Sequence, residues 1–208
     1  GIGQNAVDSG SGFGNIGFGL DALTNLTDGN GNSGIGYESL EANTTGDYNS
    51  ALGFRSLYAN TTGDYNVAVG HASMFSNTSG NYNTALGTEA LGDNTTGSTN
   101  TAIGRKALWL NKTGDDNVAV GYQALLYNSV SENTAVGTAA LKYNTTGSAN
   151  TATGYQALSS NTTGSYNSAF GYRALTTNTT GSYNNAFGYQ ALYSNTTGFA
   201  NTASGFRS

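Results

Sequence analysis

The stretch Asn150-Thr151-Ala152-Thr153-Gly154-Tyr155-Gln156-Ala157-Leu158-Ser159-Ser160-Asn161-Thr162-Thr163-Gly164-Ser165-Tyr166 is one turn of a repeat that fills the chain. Aligned on the glycine closing Asn-(Ser/Thr)-Ala-apolar-Gly, the anchors fall at Gly3, Gly19, Gly36, Gly53, Gly70, Gly87, Gly104, Gly121, Gly137, Gly154, Gly171, Gly188 and Gly205. Ten of the twelve intervals are 17 residues and the other two are 16, which is too short for an independent domain and fits one coil of a solenoid or roll. The shorter interval between Gly121 and Gly137 places its deletion in the turn Asn128–Asn133, because Leu125 and Leu141 keep their places relative to the anchors.

Each column of the repeat has its own physical role. Two residues before the anchor stands Ala51, Ala68, Ala85, Ala102, Ala119, Ala152, Ala169 and Ala186, with Gly in the first repeats; one before it stands a larger apolar residue such as Ile35, Leu52, Ile103, Phe170 or Phe187. Alternation along a strand puts the two columns on opposite faces. A flat small-residue face that another sheet can approach closely predicts packing or a subunit interface at the Ala column. Four residues after the anchor, Leu57, Leu91, Leu108, Leu125, Leu141, Leu158, Leu175 and Leu192 form the expected core. Asn-Thr-Thr-Gly then supplies turn chemistry, since Asn and Gly tolerate positive φ and Thr hydroxyls bond nearby backbone. One coil therefore reads strand, bend, short strand, turn, with no 3.6-residue period to support helix. Asn49, Asn66, Asn83, Asn100, Asn117, Asn150, Asn167 and Asn184 recur four residues before the anchor, and Asn43, Asn60 and Asn77 begin a second column seven after it. Stacked amides of this kind form a structural ladder along the axis.

The expected fold is all-β: a parallel β-solenoid or β-roll of about 17-residue coils, one repeat domain over residues 1–208, with strands about 4.8 Å apart. Gly1 opens inside a strand motif and Ser208 stops short of its Leu position, so the chain reads as an uncapped fragment of a longer one.

Composition narrows the chemistry. Charged residues are 9% of the chain, and Pro and Cys are absent, so a disulfide scaffold and thiolate chemistry are excluded. No apolar run approaches the ~20 residues of a membrane span. His71, the lone histidine, sits in an aromatic column without a catalytic partner, and no paired acids stand out, so the chain reads as a non-enzyme without a cofactor. Asp47 and Asp64 share a turn column and are weak Ca²⁺ candidates, but the nonapeptide calcium-roll pattern is missing, so no metal site is assigned. All twelve acids lie in residues 1–132 with four of the seven bases, a formal −8, while residues 133–208 hold Lys142, Arg173 and Arg207 and no acid, a formal +3. Three cations spread over several coils do not make a nucleic-acid stripe. Asn43-Thr44-Thr45 and its equivalents match the glycosylation triplet, which the turn chemistry accounts for without glycans. Aromatic residues form two columns, one of them containing Tyr155, Tyr172 and Tyr189, positions suited to packing or to glycan contact.

The motif in Asn100-Thr101-Ala102-Ile103-Gly104 and Asn117-Val118-Ala119-Val120-Gly121 resembles the head repeats of trimeric autotransporter adhesins. The longer form with Ala-Leu and Asn-Thr-Thr-Gly is similar to repeats of bacterial surface and phage tail-fibre-like proteins. The resemblance covers essentially the whole chain and implies a left-handed roll, three chains per fibre, and an adhesive or spacer role at an extracellular, cell or virion surface. Expected partners are a second and third copy and a surface glycan or protein receptor, with neither nucleic acid nor membrane insertion. Two other readings stand beside it: an ice-binding solenoid using the Thr44, Thr61 and Thr78 rank, and a monomeric glycan-binding solenoid.

Overall fold

A computed structural model describes residues 12–208. The Gly3 anchor and the first part of the 16-residue interval from Gly3 to Gly19 therefore lie outside the described residues. Twelve three-residue strands form one parallel sheet in sequence order: β1 (Ile16–Phe18), β2 (Ser33–Ile35), β3 (Ser50–Leu52), β4 (Val67–Val69), β5 (Thr84–Leu86), β6 (Thr101–Ile103), β7 (Val118–Val120), β8 (Thr134–Val136), β9 (Thr151–Thr153), β10 (Ser168–Phe170), β11 (Asn185–Phe187) and β12 (Thr202–Ser204). No helix occurs among the described residues. Every strand pairs with the equivalent strand of the next coil in register, so Ala102 faces Ala119 and Ala119 faces Ala135. The protein is a β-solenoid.

The core lies between the sheet and the chain segment that follows the anchor. Leu57, Leu91, Leu108, Leu125, Leu141, Leu158 and Leu175 are fully buried, and Leu192 is half-buried in the penultimate coil. The Ala column joins the same cluster: Ala68, Ala85, Ala102, Ala119, Ala152, Ala169 and Ala186 have no exposed surface, and Ala51 is nearly as buried. Of the two expectations for the Ala column, packing holds within the single chain, and the subunit interface is corrected. The small residues point inward because the coil is thin, and a methyl facing a Leu side chain from across the coil fills the available depth. It is the bulky column that faces out.

A second correction concerns the segment around Leu. The sequence predicts a short strand there, whereas the structure has a series of turns in which two residues per coil have left-handed backbone. In the second described coil these are Glu38 (φ 51°) and Leu40 (φ 54°), and Gln156 (φ 53°) and Leu158 (φ 53°) repeat the pattern. Glu38 N–H donates back to Leu20 O at 2.9 Å, while Leu40 N–H donates forward to Ser56 O at 3.1 Å. Bonding to both neighbouring coils within three residues reverses the peptide direction, and that reversal folds the chain over its own sheet. A third left-handed position falls at Tyr48, Tyr65, Ala149 and Tyr166, just before the Asn that leads into the next strand. Left-handed backbone costs an L-residue roughly 1–2 kcal/mol, so these positions are maintained by the stack and not by local preference. At the anchor itself the need for glycine is absolute: Gly154 has φ 136°, and a Cβ there would lie 2.4 Å from Gly171 O in the next coil.

The 16-residue step is absorbed in the turn. Asn128 and Asn133 are five residues apart where Asn111 and Asn117 are six, and Val130 O replaces the usual glycine carbonyl, accepting from Asn117 Nδ2 at 2.8 Å and Asn128 Nδ2 at 2.6 Å. Leu141 stays buried and in register.

Two substitutions three residues apart have opposite expected signs. Ala149→Gly relieves a left-handed residue (φ 54°) and raises the melting temperature, with a net gain of up to about 1 kcal/mol after the entropy glycine adds to the unfolded chain. Ala152→Leu forces a larger side chain into a filled core and lowers stability by about 1–3 kcal/mol. Thermal denaturation of the two variants beside the parent checks both signs.

Candidate functional site

Two amide ladders run the length of the coil stack and are buried. In the first, Asn150 N–H donates to Asn133 Oδ1 at 3.0 Å, its Nδ2 donates to the same oxygen at 3.2 Å and to Gly164 O at 2.9 Å, and its own Oδ1 accepts from Asn167 N and Nδ2 at 3.0 and 3.1 Å. Asn49, Asn66, Asn83, Asn100, Asn117, Asn167 and Asn184 repeat this arrangement and are all fully buried. In the second, Asn60 Nδ2 donates to Asn43 Oδ1 at 2.7 Å and to Gly63 O at 2.9 Å within its own turn. The Asn residues of the glycosylation triplets, Asn43, Asn60 and Asn161, are thus buried and committed to this ladder.

The turn rank of Thr is likewise committed. The hydroxyls of Thr44, Thr61, Thr78 and Thr162 donate to the carbonyls of the next coil at 3.0–3.1 Å. Asp47 and Asp64 occupy one turn column: Asp47 Oδ1 accepts from Asn30 N–H at 2.6 Å and Asp64 Oδ1 from Asp47 N–H at 2.7 Å. Further along, Ser165 and Ser182 hydroxyls take the same place, accepting from the backbone of the coil before. Among the described residues no three His, Asp or Glu side chains gather as a metal-binding group. In this column Asp and Ser alike accept from the backbone N–H of the coil before.

Three adjacent columns, among the exposed ones, flank the anchor. One residue before the anchor, the outward side chains of the sheet include Leu52 at 48% exposure, Ile103 at 37% and Phe187 at 45%. One residue after it, Tyr37, Phe54 and His71 stack at 5.0 and 5.3 Å, and Tyr155, Tyr172, Tyr189 and Phe206 stack at 5.0–5.3 Å with rings within 11° of parallel. His71 is thereby one rung of an aromatic ladder. Because the rings stack face to face, interior rings hide their faces from solvent and present edges and hydroxyls.

Two residues after the anchor is a polar column of Glu, Arg, Lys and Gln. Arg55 Nε donates to Glu38 Oε2 at 2.5 Å, and Lys106 Nζ lies 3.5 Å from Glu89 Oε2. In the C-terminal coils an amide takes the acid's place, with Arg173 Nε donating to Gln156 Oε1 and Arg207 Nε to Gln190 Oε1, both at 2.8 Å. The signal was present in the sequence as Glu, Arg, Lys and Gln at a constant 17-residue offset, but their pairing requires the parallel stack. The Arg55 guanidinium, hydrogen-bonded to Glu38, holds the Glu38 carboxyl below its ordinary range, and the same Glu38 raises the Tyr37 phenol through a hydrogen bond.

No known protein family, no curated protein and no solved structure matches this chain.

Two outcomes test the site. Asn150→Ala orphans Asn167 N–H inside the stack and costs about 1–3 kcal/mol, since a buried donor loses its acceptor; hydrogen exchange at the Asn167 amide accelerates relative to coils far from the change. The Glu38 carboxyl, depressed in the folded chain, adds stability above its unfolded value, and that contribution disappears as pH falls through the folded value. The melting temperatures of parent and Arg55→Gln therefore converge below about pH 4. Glu41, raised by burial, contributes in the opposite sense, and because Arg55 also acts on Glu41 the difference between the two proteins reports both carboxylates.

Proposed function

We propose that this chain is a structural fibre segment of an extracellular, cell or virion surface, a rigid spacer or adhesive stalk that self-associates as a homotrimer and has no catalytic role. The observation that carries the reading is the uninterrupted register of β1 through β12 over two buried amide ladders. Such a stack is stiff along its axis, because bending it breaks buried hydrogen bonds on one side. Its eleven steps span roughly 53 Å at the spacing of parallel strands.

Self-association is supported by the outward apolar column. Ile35, Leu52, Leu86, Ile103, Val136, Phe170 and Phe187 each expose at least 36% of their surface along one line. The ice-binding reading gains no support from the turn Thr rank, whose hydroxyl protons are donated within the chain.

Light scattering with small-angle X-ray scattering tests the proposal. A trimeric rod is the expected result, and Phe170→Ser with Phe187→Ser shifts it to monomer while leaving the β-sheet circular dichroism intact. A parent that is monomeric at all concentrations refutes the trimer.

A further inference from the structure

The polar column changes character at one point along the rod while its geometry stays the same. Arg55 and Lys106 each meet a carboxylate one coil below, Glu38 and Glu89. Arg173 and Arg207 occupy the same position and donate through the same Nε atom as Arg55, but to the neutral amides of Gln156 and Gln190. No Asp or Glu follows residue 132, so neither guanidinium meets a side-chain carboxylate. Each lies beside the aromatic ladder, with Arg173 Cζ 5.7 Å from the Tyr172 ring and Arg207 Cζ 5.4 Å from the Phe206 ring.

We propose that Arg173 and Arg207, with the exposed edge of the ladder from Tyr155 to Phe206, form a binding track for an acidic polysaccharide lying along the rod. The Gln contact fixes each guanidinium through Nε and leaves its terminal nitrogens for a carboxylate or sulfate, which a guanidinium fork engages with paired hydrogen bonds. The two arginines are two coils apart, about 10 Å, so a linear polymer with anionic groups at that period meets both. The hydroxyls of Tyr155, Tyr172 and Tyr189, one per coil, supply a row of donors and acceptors for sugar hydroxyls. Nucleic acid fits this surface poorly: the hidden ring faces offer bases nothing to stack on, and two cations are few for a phosphate backbone. The inference deepens the adhesive reading and rests on it for a ladder open to solvent in the assembled fibre.

Calorimetric titration of the full chain tests it, using polygalacturonate for carboxylates, dextran sulfate for sulfates, neutral dextran, and a thymidine oligonucleotide. The expected result is binding to one or both acidic polysaccharides and not to dextran, weakening as salt rises. Gln156→Glu with Gln190→Glu retains both arginines and rebuilds the pairing seen at Glu38 and Arg55; it lowers affinity at least tenfold, as does Arg173→Gln with Arg207→Gln. Arg55→Gln leaves affinity unchanged. Absence of binding to either acidic polymer, equal binding to dextran, tighter binding to the oligonucleotide, or affinity that survives in both double variants overturns the proposal. Scattering on the same samples keeps the two readings apart, since a monomeric rod that binds refutes the trimer alone, and a trimeric rod that does not bind refutes the track alone.

Discussion

The buried amide ladder is the interaction on which the rest of the structure depends. An Asn side chain with no exposed surface has two donors and an acceptor to satisfy, and in this chain its partners lie in the coils above and below. A coil shifted by one residue would leave several buried polar groups unpaired, each costing about 1–3 kcal/mol. The ladder thus selects one register out of many that the apolar columns alone would tolerate. Once the register is set, like meets like along the axis: Leu on Leu, Ala on Ala, Tyr on Tyr.

That constraint explains backbone conformations that no local preference favours. Leu and Ile are poor candidates for left-handed backbone, yet the whole Leu column from Leu23 to Leu192 adopts it at φ near 50°. The stack holds these residues there because the reversal of peptide direction lets each coil bond to both neighbours while its side chain enters the core. The anchor glycines meet a second demand of the same stack, the close approach of one coil's Cα to the carbonyl of the next. A thin coil with Ala on one wall and Leu on the other leaves no room for a larger inner residue, and the bulky apolar column is excluded to the surface.

The outer surface inherits the axial period and uses it differently along the rod. Where acids alternate with bases the polar column is neutral, and where Gln replaces the acid the same geometry carries net positive charge. A repeat architecture separates these roles cleanly: inner columns tolerate little change, while a single outer column can alter the chemistry of one stretch without disturbing the fold.

The sequence by itself determined the solenoid, its 17-residue coil, the parallel register, the Leu core, the Asn columns and the location of the deletion between Asn128 and Asn133, because periodicity in a stacked fold is a direct record of which residues superpose. Only the tertiary structure decided which wall of the strand faces inward. Alternation assigns Ala152 and Thr153 to opposite faces without saying which one is inside, and the answer depends on coil thickness, which is set by the left-handed turns around Leu158. Those turns were not legible either, since Gln156 and Leu158 have no intrinsic preference for positive φ and take it only when bonded to coils on both sides. The pairing of Gln156 with Arg173 was hidden for the same reason: residues 17 positions apart become neighbours only when the stack places one coil upon the next.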